Sequence, residues 1–255
     1  MHSSIRYLVF LALLQFCFSE ILLSQKISHD NLGKYWAIEG NRIVCVSESA
    51  RLKPTFSSIV LGSPTSVDAS DPFRILVFYQ NTQTVAIINN DAVLIGKPVE
   101  LFQLNIGEAS CAIRSSLGGF WLAIQGAQKI IRLNKHLKQI EQTIKLPSRY
   151  AKFDVIQIAE YNGDLYVGLE DGSVVTFDTY GALVHEYFYE SFSSFLIYKN
   201  RVFIARKGSV FEYSLFKSQE LLSTYQCACA DYITIVHSIL ACFDGQQFNY
   251  CEKFD

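Results

Sequence analysis

Two short apolar strands joined by a tight turn recur along this chain at a nearly fixed spacing, and such a recurrence leaves few folds open. The clearest copy runs from Glu160 to Tyr187, EYNGDLYVGLEDGSVVTFDTYGALVHEY. Asn162-Gly163-Asp164 is a turn signal, and Leu165 to Leu169 is a run of β-formers. Asp171-Gly172 reads as a type I′ hairpin turn, whose two central residues both need φ > 0. Ser173 to Phe177 returns, Asp178 to Gly181 turns again, and Ala182 to Phe188 supplies a further strand. With Val155 to Ala159 in front, the unit is a meander of four short strands. One such unit is a propeller blade, whose sheet face is covered only when the next blade packs on it.

Looser copies of the central pair lie at Leu32–Val46, Phe73–Ile88, Gly119–Leu133, Arg201–Tyr213 and Ile239–Tyr250. The spacing is about 40 residues, within the range of propeller repeats. A strand precedes most pairs and another follows, as at Ala109–Arg114 and Lys138–Lys145. Only Asn134 to Thr143 could pass for a helix, and its place after a return strand favours the fourth strand of a blade. The last copy reaches Asp255 without a fourth strand, and a spare stretch, Ile21 to Ile27, precedes the first. The expectation is an all-β propeller of six four-stranded blades, closed by the N-terminal strand so that no blade face is left bare.

Residues 1–19 read as a secretory signal peptide, with a weakly basic start, an apolar run from Tyr7 to Phe18 and small residues before a cut at Glu20. Phe16 precedes Cys17, which argues against a lipoprotein signal. No later stretch approaches the roughly 20 apolar residues of a membrane span. Residues 20–255 form a single domain with 21 Lys and Arg against 24 acids, a charge near −3. That balance argues against a nucleic-acid binder working through a basic patch. The mean hydropathy of +0.18 fits thin strands buried on both faces.

Removal of the leader takes Cys17 and leaves Cys45, Cys111, Cys227, Cys229, Cys242 and Cys251. Six cysteines in an oxidising compartment allow fifteen pairings. Cys45, Cys111 and Cys242 lie in apolar strands and read as buried thiols. Any bridge is expected in the terminal blade, where Cys227-Ala228-Cys229 lies near Cys242 and Cys251. The same cluster lacks zinc spacing and a nearby pair of histidines.

Neither histidines nor carboxylates converge in the sequence. His29, His136, His185 and His237 occupy different repeat positions and read as surface or turn residues. Asp68, Asp71, Asp171, Asp178 and Asp244 read as turn formers that bond the local backbone. The sequence carries no nucleophile elbow, phosphate loop, calcium loop or zinc-protease motif. No catalytic, cofactor-binding or metal-ligating residue is assigned, and no cofactor is implied. Tyr187, Phe188, Tyr189, Phe192 and Phe195 form an aromatic cluster that reads first as inter-blade packing and second as a ligand platform. Trp36 and Trp121 share one repeat position and read as core.

Ser66-Val67-Asp68-Ala69-Ser70-Asp71-Pro72-Phe73-Arg74-Ile75-Leu76-Val77-Phe78-Tyr79 resembles a segment of small exported propeller proteins of Bacteroidota-type bacteria. Gly119-Phe120-Trp121 leading to Ile131–Asn134, and Val175 to Gly181, are similar to later segments of that family. The likeness covers most of residues 29–215 and weakens in the cysteine-rich end. It implies export, a periplasmic or envelope-facing location and a single propeller, with no catalytic residue to carry over. The function expected is a non-catalytic scaffold docking another envelope protein, through loop tips around Asp91–Pro98 or Tyr187–Ser194. The alternatives are a glycan- or peptide-binding propeller, and an enzyme with a site at the channel mouth.

Overall fold

Six antiparallel sheets follow one another around a ring in the computed structural model, which describes residues 26–46, 53–216, 219–229, 232–244 and 247–254. The expected leader lies outside these residues. The first blade comprises β1 (Ile27–His29), β2 (Tyr35–Glu39), β3 (Arg42–Val46) and β4 (Thr55–Ser57). The second comprises β5 (Ser66–Asp68), β6 (Ile75–Tyr79), β7 (Thr84–Ile88) and β8 (Val99–Glu100). The third has β9 (Ala109–Arg114), β10 (Phe120–Ile124), β11 (Lys129–Leu133) and β12 (Ile140–Lys145). The fourth has β13 (Val155–Tyr161), β14 (Asp164–Leu169), β15 (Ser173–Phe177) and β16 (Leu183–Phe188). The fifth runs through β17 (Ser194–Tyr198), β18 (Arg201–Arg206), β19 (Ser209–Ser214) and β20 (Leu221–Gln226). The sixth holds β21 (Ile233–Val236), β22 (Ile239–Phe243) and β23 (Phe248–Tyr250), and β24 (Glu252–Phe254) ends the described chain. Asn134 to Thr143 is no helix: it leads into β12, the fourth strand of its blade.

Position in a blade dictates composition. The second and third strands lie between neighbouring blades, so β6, β7, β10 and β15 are buried at every residue and read as unbroken apolar runs. The fourth strand lies at the rim, and β16 is exposed along almost its whole length. Six apolar clusters fill the wedges. Trp36, Tyr79 and Ile88 pack between the first and second blades, Leu76, Phe120 and Leu122 between the second and third. Trp121, Val167 and Phe177 join the third to the fourth, Tyr166, Phe192 and Phe195 the fourth to the fifth. Phe203, Leu240 and Cys242 join the fifth to the sixth, and Ile27, Val44 and Phe243 close the sixth onto the first. Each fully buried Ile, Leu or Phe stabilises the ring by about 1.5–3 kcal/mol.

Local chemistry differs from the expectation at one turn. Asn162 and Gly163 have φ of 52° and 87°, as a type I′ turn requires. At Asp171-Gly172 only Gly172 has positive φ, 92°. Gly172 N–H donates to Leu169 O at 3.0 Å, and the Asp171 carboxylate accepts from Ser173 N–H at 2.9 Å. The turn is therefore a three-residue one with glycine in the left-handed position, because the aspartate bonds its own backbone.

Chain ends also settle differently. Ile27, counted above in the stretch Ile21 to Ile27, opens β1 and pairs with Ala37 as the inner strand of the first blade. The remainder of that stretch, 21–25, lies outside the described residues. Among the described residues the sixth sheet has three strands, and β24 adds to the fifth blade by pairing with β20.

Cys227 bonds Cys251 and Cys229 bonds Cys242, while Cys45 and Cys111 are free and buried. The bridges lie in the terminal region where they were expected. Cys242, read above as a buried thiol, is instead paired: it sits on the face of β22 that meets the connection leaving β20.

Candidate functional site

Inner strands β1, β5, β9, β13, β17 and β21 surround a central cavity of about 600 Å³. In an antiparallel meander the first-to-second and third-to-fourth connections emerge on one face, and the other connections on the opposite face. The C-terminal ends of the inner strands therefore meet at a single mouth. Asp30, Asp68, Asp71, Arg114 and Glu160 line the cavity there, with His29 on β1 beside them.

None of these carboxylates is idle. Asp30 accepts from Leu32 N–H at 2.9 Å, Lys34 N–H at 2.8 Å and the Trp36 indole at 3.3 Å. Asp68 accepts from Ser70 N–H at 2.9 Å and Arg114 N–H at 2.8 Å, joining the second blade to the third. Asp71 accepts from Phe73 N–H and, at 2.7 Å, from the Arg114 guanidinium. Glu160 accepts from Ser116 N–H, the Ser116 hydroxyl and, at 2.9 Å, the Trp121 indole. Trp36 and Trp121 thus spend their indole N–H groups in the same way, on an acid at the mouth.

Other polar ties continue around the ring. Ala69 N–H donates to Ser28 Oγ, and the Gln157 amide exchanges two hydrogen bonds with the Phe195 backbone. Tyr35 Oη donates to Ile235 O across the sixth-to-first junction at 3.1 Å. Asp68, Asp71 and Glu160 brace one blade to the next, whereas Asp30 ties only residues of its own blade. Carboxylates occupied in this way are poorly placed to exchange protons with a substrate.

His29 is exposed at the end of β1, as expected of a surface histidine, at the channel mouth. Desolvation lowers its pKa, opposed by the nearby carboxylates of Asp30 and Asp68. Among the described residues no group of three His, Cys, Asp or Glu side chains could hold a metal ion. Cys111 is buried and its thiol pKa is pushed up to about 12, which leaves it without nucleophilic character at neutral pH.

Exposed apolar residues favour the same face as the acidic mouth. Leu32, Phe73 and Leu117 stand on its first-to-second connections with 57, 63 and 55% of their surface exposed, and Ile239 follows the equivalent turn of the sixth blade. Val93, Tyr180 and Phe216 are exposed on its third-to-fourth connections. The opposite face presents Ile59, Val60, Phe102 and Phe188. Asp91–Pro98 lies on the acidic face and Tyr187–Ser194 on the opposite one. In the latter, Tyr189 and Phe192 are buried and Tyr187 is half-buried, with its hydroxyl donating to Leu215 O. Most of the aromatic platform considered from the sequence is therefore inter-blade packing, with Phe188 alone of its five rings exposed.

Sequence reading assigned turn roles to Asp68 and Asp71, which the local hydrogen bonds bear out. It missed Arg114 and Glu160. A signal was present: a buried indole N–H needs an acceptor, and the two tryptophans share a repeat position.

No protein-family model and no curated protein matches the sequence. Solved structures match by fold. A protein of unknown function from Bacteroides caccae aligns with a TM-score of 0.56 and 10% identity, over 77% of this chain and 80% of that one. BamB from Moraxella catarrhalis aligns at 0.57 and 11%, over 91% and 85%. Virginiamycin B lyase from Staphylococcus aureus aligns at 0.60 and 12%, over 89% and 82%. At these identities the likeness establishes the propeller fold alone.

Proposed function

We propose that this chain is an exported, non-catalytic propeller that docks a protein partner of the cell envelope through the face bearing the acidic mouth. The observation that carries the reading is the gathering of Leu32, Phe73, Leu117, Ile239, Val93, Tyr180 and Phe216 on that one face. Single exposed apolar residues need no explanation, but their concentration on one side of a rigid ring suits an interface. Below them the carboxylates are occupied as braces, which suits a scaffold better than an acid–base site.

Export rests on the leader read at residues 1–19 and on the resemblance to exported Bacteroidota-type propellers. The fold likeness to a Bacteroides caccae protein and to BamB is compatible with it. No helix among the described residues is long and apolar enough to cross a membrane. The glycan- or peptide-binding alternative finds most of its aromatic platform buried, and retains the 600 Å³ channel and a second cavity of about 660 Å³ beside Ser63, Asn81 and Tyr232 as locations.

The test is affinity capture from native envelopes with the mature chain, a Phe73→Ser/Leu117→Ser variant and an Ile59→Ser/Val60→Ser variant. A stoichiometric partner kept by the last and lost by the Phe73/Leu117 variant is expected. Equal loss in both variants, or no stoichiometric partner, overturns the reading. N-terminal sequencing of the exported chain should begin at Glu20.

A further inference from the structure

Among the described residues, one wedge of the ring lacks a part that the other five share. In each of those five, the connection leading into the next inner strand sends an apolar side chain into the cluster between the two blades. Leu61 stands five residues before Ser66, Ile106 three before Ala109, Tyr150 five before Val155, Phe192 two before Ser194 and Cys229 four before Ile233. The sixth-to-first cluster has no such residue among those described, because the segment leading into Ile27 lies before Lys26. A cavity of about 660 Å³ opens at that seam, on the face opposite the acidic mouth. Ile38, Pro64, Tyr232 and Phe243 form its apolar side, with Ser63 and Asn81 beside them. Protein interiors close-pack, so a gap of this size at a seam calls for an occupant.

Lys26 brings the chain to the edge of this cavity. Its carbonyl accepts from Ile38 N–H at 2.9 Å, which carries the β1–β2 ladder one residue further. Its ammonium lies 4.8 Å from the centre of the Tyr232 ring. Lys26, Ile38 and Tyr232 all line the cavity, so the preceding residues leave the ladder beside it. A chain advances at most about 3.6 Å per residue, which keeps Leu22 and Leu23 within about 15 Å of Lys26. They stand five and four residues before Ile27, the spacing at which Leu61, Tyr150 and Cys229 enter their wedges.

We propose that this cavity is the docking site of the chain's own residues 21–23, which seat Leu22 and Leu23 against its apolar side and finish the sixth-to-first wedge. The composition of the segment fits: Ile21, Leu22 and Leu23 are apolar, and Glu20, Ser24 and Gln25 flank them as Ser63 and Asn81 flank the apolar side of the cavity. Burial of apolar surface drives the seating. A cut at Glu20 leaves the whole segment on the mature chain. The site lies on the face opposite the one assigned to partner docking and does not depend on that reading. A seated segment withdraws this cavity from the glycan- or peptide-binding alternative.

Photocrosslinking of the mature chain, with p-benzoylphenylalanine in place of Ile21, reads the seat directly. Crosslinks should fall on the cavity lining, at Ser63, Pro64, Asn81 or Tyr232, and Leu22→Ser/Leu23→Ser should reduce them at least fivefold. Amide exchange gives a second reading, through Ile38 N–H, bonded to Lys26 O, and Phe243 N–H, bonded to Tyr232 O. Both amides should exchange at least tenfold faster in Leu22→Ser/Leu23→Ser and in a chain beginning at Gln25, while Phe120–Ile124 stays unchanged. Should either variant fail to fold, the crosslinks in the otherwise unaltered chain decide alone. Crosslinks elsewhere on the chain overturn the proposal. So does a chain beginning at Gln25 whose Ile38 and Phe243 amides exchange as before, which leaves the cavity to water or to a ligand.

Discussion

Glu212 shows how a single side chain can hold a blade together. It lies in β19 at 1% exposure and binds outward in both directions, accepting from Arg201 of β18 and, at 2.7 Å, from Tyr225 of β20. Burial pushes its carboxyl pKa up, but the bonds from Arg201 and Tyr225 outweigh it and hold the value below the ordinary 4.5. The same environment pushes Tyr225 up to about 12, through burial and then the bond to Glu212. Because the folded carboxyl titrates below the unfolded one, the unfolded chain binds more protons in acid. The stabilisation is present above about pH 4.5 and is lost as pH falls through the folded value. Glu212→Gln should cost about 2 kcal/mol at pH 7, the scale of a lost charge-assisted hydrogen bond. It should also flatten the fall in stability below pH 4.5. Urea melts at several pH values check this; parallel curves for the two proteins would show that the carboxylate is not the titrating group.

At the scale of strands, the cysteines mark what the sequence could and could not say. Turn residues and apolar runs made the second and third strand of each blade legible, because those strands are buried on both faces and carry unbroken β-formers. The shared position of Trp36 and Trp121 was legible for the same reason. Pairing across blades was not. Cys242 looks like any buried strand thiol until the connection after β20 is laid beside β22, and the residues after Tyr250, read as too few for a further strand, form β24 on β20. Glu160 escaped notice because its partners, Ser116 and Trp121, lie in the preceding blade. Three-dimensional adjacency of that kind leaves no local pattern. The cysteine assignment can be counted directly. Alkylation of the mature chain in denaturant without reductant should modify the two free thiols, Cys45 and Cys111, and with reductant all six. Native protein should react at neither, given their burial. Four reactive thiols in denaturant alone would remove one of the bridges.

A closed ring is only as firm as its thinnest wedge. The clusters between the second and third blades and between the third and fourth each bury 14 described apolar residues, whereas the sixth-to-first cluster buries four, Ile27, Ala37, Val44 and Phe243. Phe248 and Tyr232 pack against it only in part, and the hydroxyl of Tyr35 supplies a polar tie to Ile235. The seam also joins the start and finish of the described chain, so no peptide connection reinforces it as one does at the other five junctions. Local opening should begin there, at lower free energy than global unfolding. Hydrogen exchange should therefore be faster in Tyr35–Glu39 and Ile239–Phe243 than in Phe120–Ile124. Phe243→Ala should speed exchange in the first two strands by about tenfold, equivalent to about 1.4 kcal/mol, while Phe120–Ile124 changes little. If all three strands speed up together, the ring opens as one cooperative unit, and the covalent staples next to the seam carry its closure in place of apolar burial.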